Sequence, residues 1–89
     1  MINSESEALA ELTVYTRLGC HLCDDMLATL EELQISMPFS VNIIDVDADP
    51  HHQQRYGELV PVLMHHDVEI CHYFLDIEAL KVYFSQASE

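Results

Sequence analysis

The chain has 89 residues, 49% of them hydrophobic and only two glycine, which fits one ordered domain and excludes a disordered one. Its net charge of −13 sets 16 acidic residues against three basic ones, too few cations to neutralise a nucleic acid. The apolar stretch over 59–64 is short and holds Pro61, and residues 1–11 carry no base, so neither a membrane span nor a secretory signal is expected.

Residues 1–10 read as a polar lead-in and 11–89 as a single domain. Residues 12–16, β-branched and aromatic, predict a strand. A helix over 21–34 follows, with Leu22, Met26, Leu30 and Leu33 at helical spacing, closed by a Ser36-Met37-Pro38 turn. Residues 41–46 (VNIIDV) predict a second strand. Asp49 then caps a short helix with Pro50 at its first position, ending near Tyr56 with Gly57 as terminator. Strands over 62–64 and 68–72, joined by the polar turn His65-His66-Asp67, make an antiparallel hairpin. Asp76 caps the last helix, with Leu75 and Leu80 as a hydrophobic staple and Ile77, Leu80, Tyr83 and Phe84 on one face. The order β-α-β-α-β-β-α implies an α/β fold: a mixed four-stranded sheet with a right-handed first crossover and helices on both faces.

Cys20-His21-Leu22-Cys23 stands where the first strand hands over to a helix. Residues three apart on a helix lie on one face, roughly 5–6 Å apart, within the reach of a disulfide. A Cys-x-x-Cys pair in that position is the signal for thiol–disulfide exchange. Cys20, at the helix start, is the expected attacking thiolate, and Cys23, one turn in, the resolving thiol. Unsatisfied N–H groups at the helix terminus favour the Cys20 anion by about 0.3–2 kcal/mol. Asp24 and Asp25 oppose it by roughly 0.5 kcal/mol each before screening. Arg17 adds to the favourable side. The balance predicts a thiol pKa below the free value, but modestly so. His21 either assists the thiolate when protonated or is an exposed residue with no role.

YTRLGCHLC followed by YGELVPVL and a hairpin resembles the thioredoxin fold in its compact glutaredoxin-like form, over about 12–84. The resemblance implies a cis peptide bond before Pro61, with that loop against the dithiol, and Val60 offering its backbone to substrate as an added strand. It also places Arg17 where glutaredoxins carry a basic residue that helps bind glutathione. The chain departs from the family in having His21-Leu22 for Pro-Tyr, Leu59 for threonine, and no glycine in 71–75, where glutaredoxins carry a Gly-Gly turn. Catalytic Cys20 and Cys23, with Arg17, His21, Val60 and Pro61 binding substrate, imply a thiol–disulfide oxidoreductase acting on protein or glutathione mixed disulfides. No bound cofactor is expected, glutathione being the candidate reductant or co-substrate. A cytoplasmic monomer without nucleic-acid or membrane partners is expected.

The alternative is a non-catalytic thioredoxin-fold interaction module with redox-sensitive or vestigial thiols. A zinc site is less favoured, because His51-His52, His65-His66 and Cys71-His72 are adjacent dipeptides, and neighbours in a strand face opposite sides. Cys71 reads as a small buried hydrophobe, the four histidines at 51, 52, 65 and 66 as solvated, and Tyr56 as packed beneath the proline loop or, alternatively, placed beside the dithiol. Asp45, Asp47 and Asp49 lack the glycine and glutamate of a calcium loop. Arg55 is either a surface ion-pair partner or a substrate contact.

Overall fold

The computed structural model describes residues 10–87, with side chains through residue 85. The chain runs β1 (Ala10–Thr16), α1 (His21–Leu33), β2 (Phe39–Asp45), a 3-10 turn (Val46–Ala48), α2 (Pro50–Tyr56), β3 (Val62–His65), β4 (Val68–His72) and α3 (Ile77–Ala87). The sheet order is β2-β1-β3-β4, with β1 parallel to β2 and antiparallel to β3, and β3 antiparallel to β4. The expected mixed four-stranded α/β sheet is thus the observed one. Of the lead-in expected over 1–10, residues 1–9 lie outside the described residues, and Ala10 already belongs to β1.

Alternation along the central strands divides the core, because successive strand side chains point to opposite faces. Leu12 and Val14 of β1 and Leu63 of β3 meet Met26 and Leu30 of α1 and Leu80 of α3 on one face. Tyr15 of β1 and Val62 and Met64 of β3 face the other way, onto Val46 and the α2 residue Tyr56. So α1 and α3 cover one face and α2 the other. Ile70 and Cys71, adjacent on β4, both pack toward the α1 and α3 side. A register shift between Leu63 and Met64 explains it: a bulge inserts one residue on β4 and breaks the alternation there.

Several boundaries differ from those the sequence predicts. β2 starts at Phe39, directly after Pro38, and Val46 leaves it to open the 3-10 turn, whose N–H at Asp47 is accepted by the Asp45 carboxylate. α1 stops at Leu33, and the side-chain amide of Gln34 donates to the Phe39 carbonyl, tying helix end to strand start. The hairpin turn is two residues rather than three. His65 stays in β3, and His66 takes a left-handed φ of 57°, as tight two-residue turns require.

The capping residues act as their types dictate. Asp49 accepts from His51 N–H with Pro50 at the first position of α2, and Asp76 accepts from Ala79 N–H at the start of α3.

Candidate functional site

Cys20 is itself the N-cap of α1. Its backbone is extended (φ −92°, ψ 107°) and its sulfur accepts a hydrogen bond from Cys23 N–H at 3.0 Å. Arg17, Leu18 and Gly19 deliver it there through a tight turn in which Cys20 N–H donates to the Arg17 carbonyl. Gly19 stands at the third position of that turn with φ +81°, where a type II turn favours glycine. Cys20 and Cys23 are joined in a disulfide, their Cα atoms 5.2 Å apart. Cys20 is half-buried, whereas Cys23 is 1% exposed, so the first cysteine is the more accessible of the two.

The sheet register brings a second element to the same end. Tyr15 pairs with Val62 across antiparallel strands, so the chain leaving β1 toward Cys20 and the chain entering β3 from Pro61 share one edge. The Val60–Pro61 peptide bond is cis, and Pro61 is buried. Its carbonyl accepts from Tyr73 N–H at 2.9 Å, which ties the start of β3 to the turn after β4. No glycine serves that turn: Tyr73 itself is left-handed, φ 67°, and its hydroxyl donates to the Glu58 carbonyl at 3.0 Å. Tyr73 thus straps the proline loop from both ends, and no signal in residues 71–75 could have revealed it.

Arg17 is engaged within the fold. Its Nε and Nη2 donate to the two carboxylate oxygens of Asp47, each at 3.0 Å, and Nη1 donates to the Gly57 carbonyl at 3.2 Å. This two-toothed geometry is the strong form of a guanidinium–carboxylate pair. Asp47 accepts in addition from the Gln53 amide. Hydrogen bonds from Arg17 and then Gln53 hold the Asp47 carboxyl below the usual carboxylate range. Arg17 therefore links the turn before Cys20 to the 3-10 turn and to the end of α2. His21 is exposed at the start of α1, and Val60 is half-buried before the proline.

Around this frame the remaining residues sort by face. Tyr15 and Tyr56 stack at 4.1 Å, and Arg55 lies 5.4 Å over the Tyr56 ring, all on the α2 side. His52, expected in solvent, is half-buried with its ring edge-on to Tyr15 at 5.1 Å, because α2 turns it toward the sheet. His65 is likewise half-buried. Its Nδ1 meets the Tyr83 hydroxyl, and burial, then the neighbouring His66, pushes its pKa down. Cys71 is a half-buried free thiol whose pKa is raised by burial. Among the described residues no three His, Cys, Asp or Glu side chains converge to hold a metal ion, and no helix is long and apolar enough to cross a membrane.

A cleft lies between the first turns of α1 and the connection from β4 to α3. Leu22 and Met26 form one wall, Tyr73, Phe74 and Ile77 the other, with Asp25 also lining it. Phe74 is 68% exposed.

A half-exposed cap cysteine bonded to a buried one, at a strand-to-helix junction in a mixed sheet, defines a protein of the thioredoxin superfamily. Within it, the chain belongs to the glutaredoxin-like domain family (DUF836), whose model matches residues 11–85. It is similar to protein Ne2328 from Nitrosomonas europaea, solved by NMR, with 42% identity over 84% of this chain and 91% of that one, and a TM-score of 0.76. Its fold is also that of thioredoxin 1 from Thermosipho africanus TCF52B, at 16% identity and a TM-score of 0.60 over 89% of this chain and 99% of that one. No curated protein matches the sequence.

Proposed function

We propose that this chain is a dithiol–disulfide oxidoreductase that reduces protein or glutathione mixed disulfides. The observation that carries the reading is the asymmetry of the pair: Cys20 reachable at the helix cap, Cys23 buried beneath it. In the reduced protein the Cys20 thiolate attacks one sulfur of the substrate disulfide. A new Cys20–substrate bond forms as the substrate S–S bond breaks, and the expelled thiolate takes a proton. Cys23, having lost its proton, then attacks the Cys20 sulfur, which releases the second substrate thiol and leaves the Cys20–Cys23 disulfide. Two electrons have passed from the dithiol to the substrate. A cellular thiol, either a small one such as glutathione or a protein dithiol, returns them.

The N–H of Cys23, already on the Cys20 sulfur, is the donor that would steady the thiolate. Val60 and Pro61 offer the substrate backbone a strand edge, and His21, exposed and next in sequence to Cys20, is available to a bound substrate. Arg17 serves in this reading by fixing the turn that carries Cys20. The free, half-buried Cys71 and the absence of any stapling disulfide among the described residues suit a reducing compartment such as the cytoplasm. The −13 charge supports action as a monomer without nucleic acid.

The test is turnover of a protein disulfide by wild type, Cys20→Ser and Cys23→Ser. Cys20→Ser should be inactive, and Cys23→Ser should halt after a single covalent event. Equal residual activity in both variants would indicate the non-catalytic interaction module instead.

A further inference from the structure

The groove beside the dithiol is apolar on both walls and carries negative charge without any positive charge. Leu22 and Met26 of α1 face Tyr73, Phe74 and Ile77, and Asp25 is the charged side chain lining it. Its volume, about 240 Å³, is below the roughly 300–1,000 Å³ of pockets that enclose a small molecule, and suits one inserted side chain. Leu22 lies between the two cysteines, and Tyr73 is bonded to the Pro61 carbonyl, so the groove is continuous with the edge at which exchange would occur.

None of the chain's three basic residues lines this groove. Arg17 has its fork on Asp47, Arg55 lies over Tyr56, and Lys81 is exposed on α3. Asp24 is exposed beside Asp25, and the chain as a whole carries −13. Glutathione at neutral pH has two carboxylates and one ammonium and is a net anion. It would meet an acidic surround with no uncommitted cation in the groove to receive either carboxylate. A polypeptide carrying lysine or arginine meets the opposite field, and an apolar residue beside its cysteine has a slot to enter.

From this complementarity we infer that the preferred substrate is a basic polypeptide disulfide whose cysteine is flanked by an apolar side chain, taken in preference to glutathione disulfides. The inference deepens the proposed oxidoreductase reading and rests on it. The apolar side chain enters between Leu22 and Phe74, the basic residues face Asp24 and Asp25, and the exchange steps are those given above.

The experiment measures the second-order rate at which each of four disulfides oxidises the reduced full-length chain, read by mass. The four are a peptide disulfide with flanking leucine and lysines, the same peptide with glutamates for lysines, the same with serine for leucine, and oxidised glutathione. At low ionic strength the leucine–lysine peptide should exceed the glutamate peptide and oxidised glutathione by about tenfold or more, and the charge-dependent part should shrink in high salt. The serine peptide should be several-fold slower at any salt, and Phe74→Ser should erase that difference. Equal rates for all four, or oxidised glutathione as fast as the leucine–lysine peptide, would overturn the preference while leaving the oxidoreductase intact. Oxidation of the pair by none of the four would instead count against the oxidoreductase reading itself, and with it the preference.

Discussion

Arg17 and Asp47, thirty residues apart in sequence, meet through two parallel hydrogen bonds of 3.0 Å each. The pair sits at the surface, so it contributes little to global stability, but it joins the turn before Cys20 to the segment that leads into α2. Asp47→Ala should therefore leave the thermal midpoint nearly unchanged while slowing exchange, on the order of tenfold or less, because the attacking sulfur loses its fixed approach. Arg17→Lys should behave similarly, since an ammonium cannot reproduce the fork. Calorimetry and exchange rates on both variants check this; a large fall in stability with unchanged rate would contradict it.

The reduced thiols should separate by environment. Cys20, capped by the Cys23 N–H, should titrate below the free-thiol value of about 8.5, while burial holds Cys71 above its ordinary range. In pH-dependent alkylation of the reduced protein Cys20 should react first, ahead of both the buried Cys23 and Cys71. A Cys20 pKa at or above the free value would mean that Asp24 and Asp25 outweigh the helix terminus.

Tyr73 offers a stability test with opposing terms. Tyr73→Phe removes the hydrogen bond to the Glu58 carbonyl and keeps the left-handed backbone, so it should cost about 0.5–1 kcal/mol. Tyr73→Gly loses the same bond but relieves a conformational penalty of roughly 1–2 kcal/mol, so it should be no less stable than Tyr73→Phe. Denaturant unfolding of the two variants decides the order.

His65 gives a pH dependence whose sign is fixed by its surroundings. Burial lowers its folded-state pKa, so between that value and the unfolded value of about 6.5 the unfolded chain binds more protons. Stability from this group is full above the unfolded pKa and falls as pH drops through that window. His65→Asn should flatten the slope of stability against pH below about 6.5, measured by urea unfolding at several pH values.

Deleting core volume tests the packing directly. Leu30, fully buried between α1 and the sheet, should cost about 2–5 kcal/mol on change to alanine.

What the sequence made legible was local. The β-branched and aromatic run over 12–16, the helical spacing of Met26 and Leu30 and the Cys20–Cys23 spacing each depend on a few neighbouring residues, and each appears in the structure as read. The capping carboxylates Asp49 and Asp76 were legible for the same reason. What stayed hidden depends on partners distant in sequence. The Arg17–Asp47 tie spans thirty residues, and the half-burial of His52 and His65 follows from Tyr15 and Tyr83 arriving from other elements. Left-handed backbone at His66 and Tyr73 carried no glycine to mark it, so the hairpin looked one residue longer than it is and the turn after β4 gave no sign at all.

The central claim is that the Cys20 sulfur takes the substrate and the Cys23 sulfur releases it. Incubating reduced Cys23→Ser with a peptide disulfide, and mapping the adduct by mass spectrometry, tests it most directly. A stable mixed disulfide on Cys20, with none formed by Cys20→Ser, is the predicted result; an adduct on Cys71, or on Cys23 in the Cys20→Ser protein at a comparable rate, would contradict it.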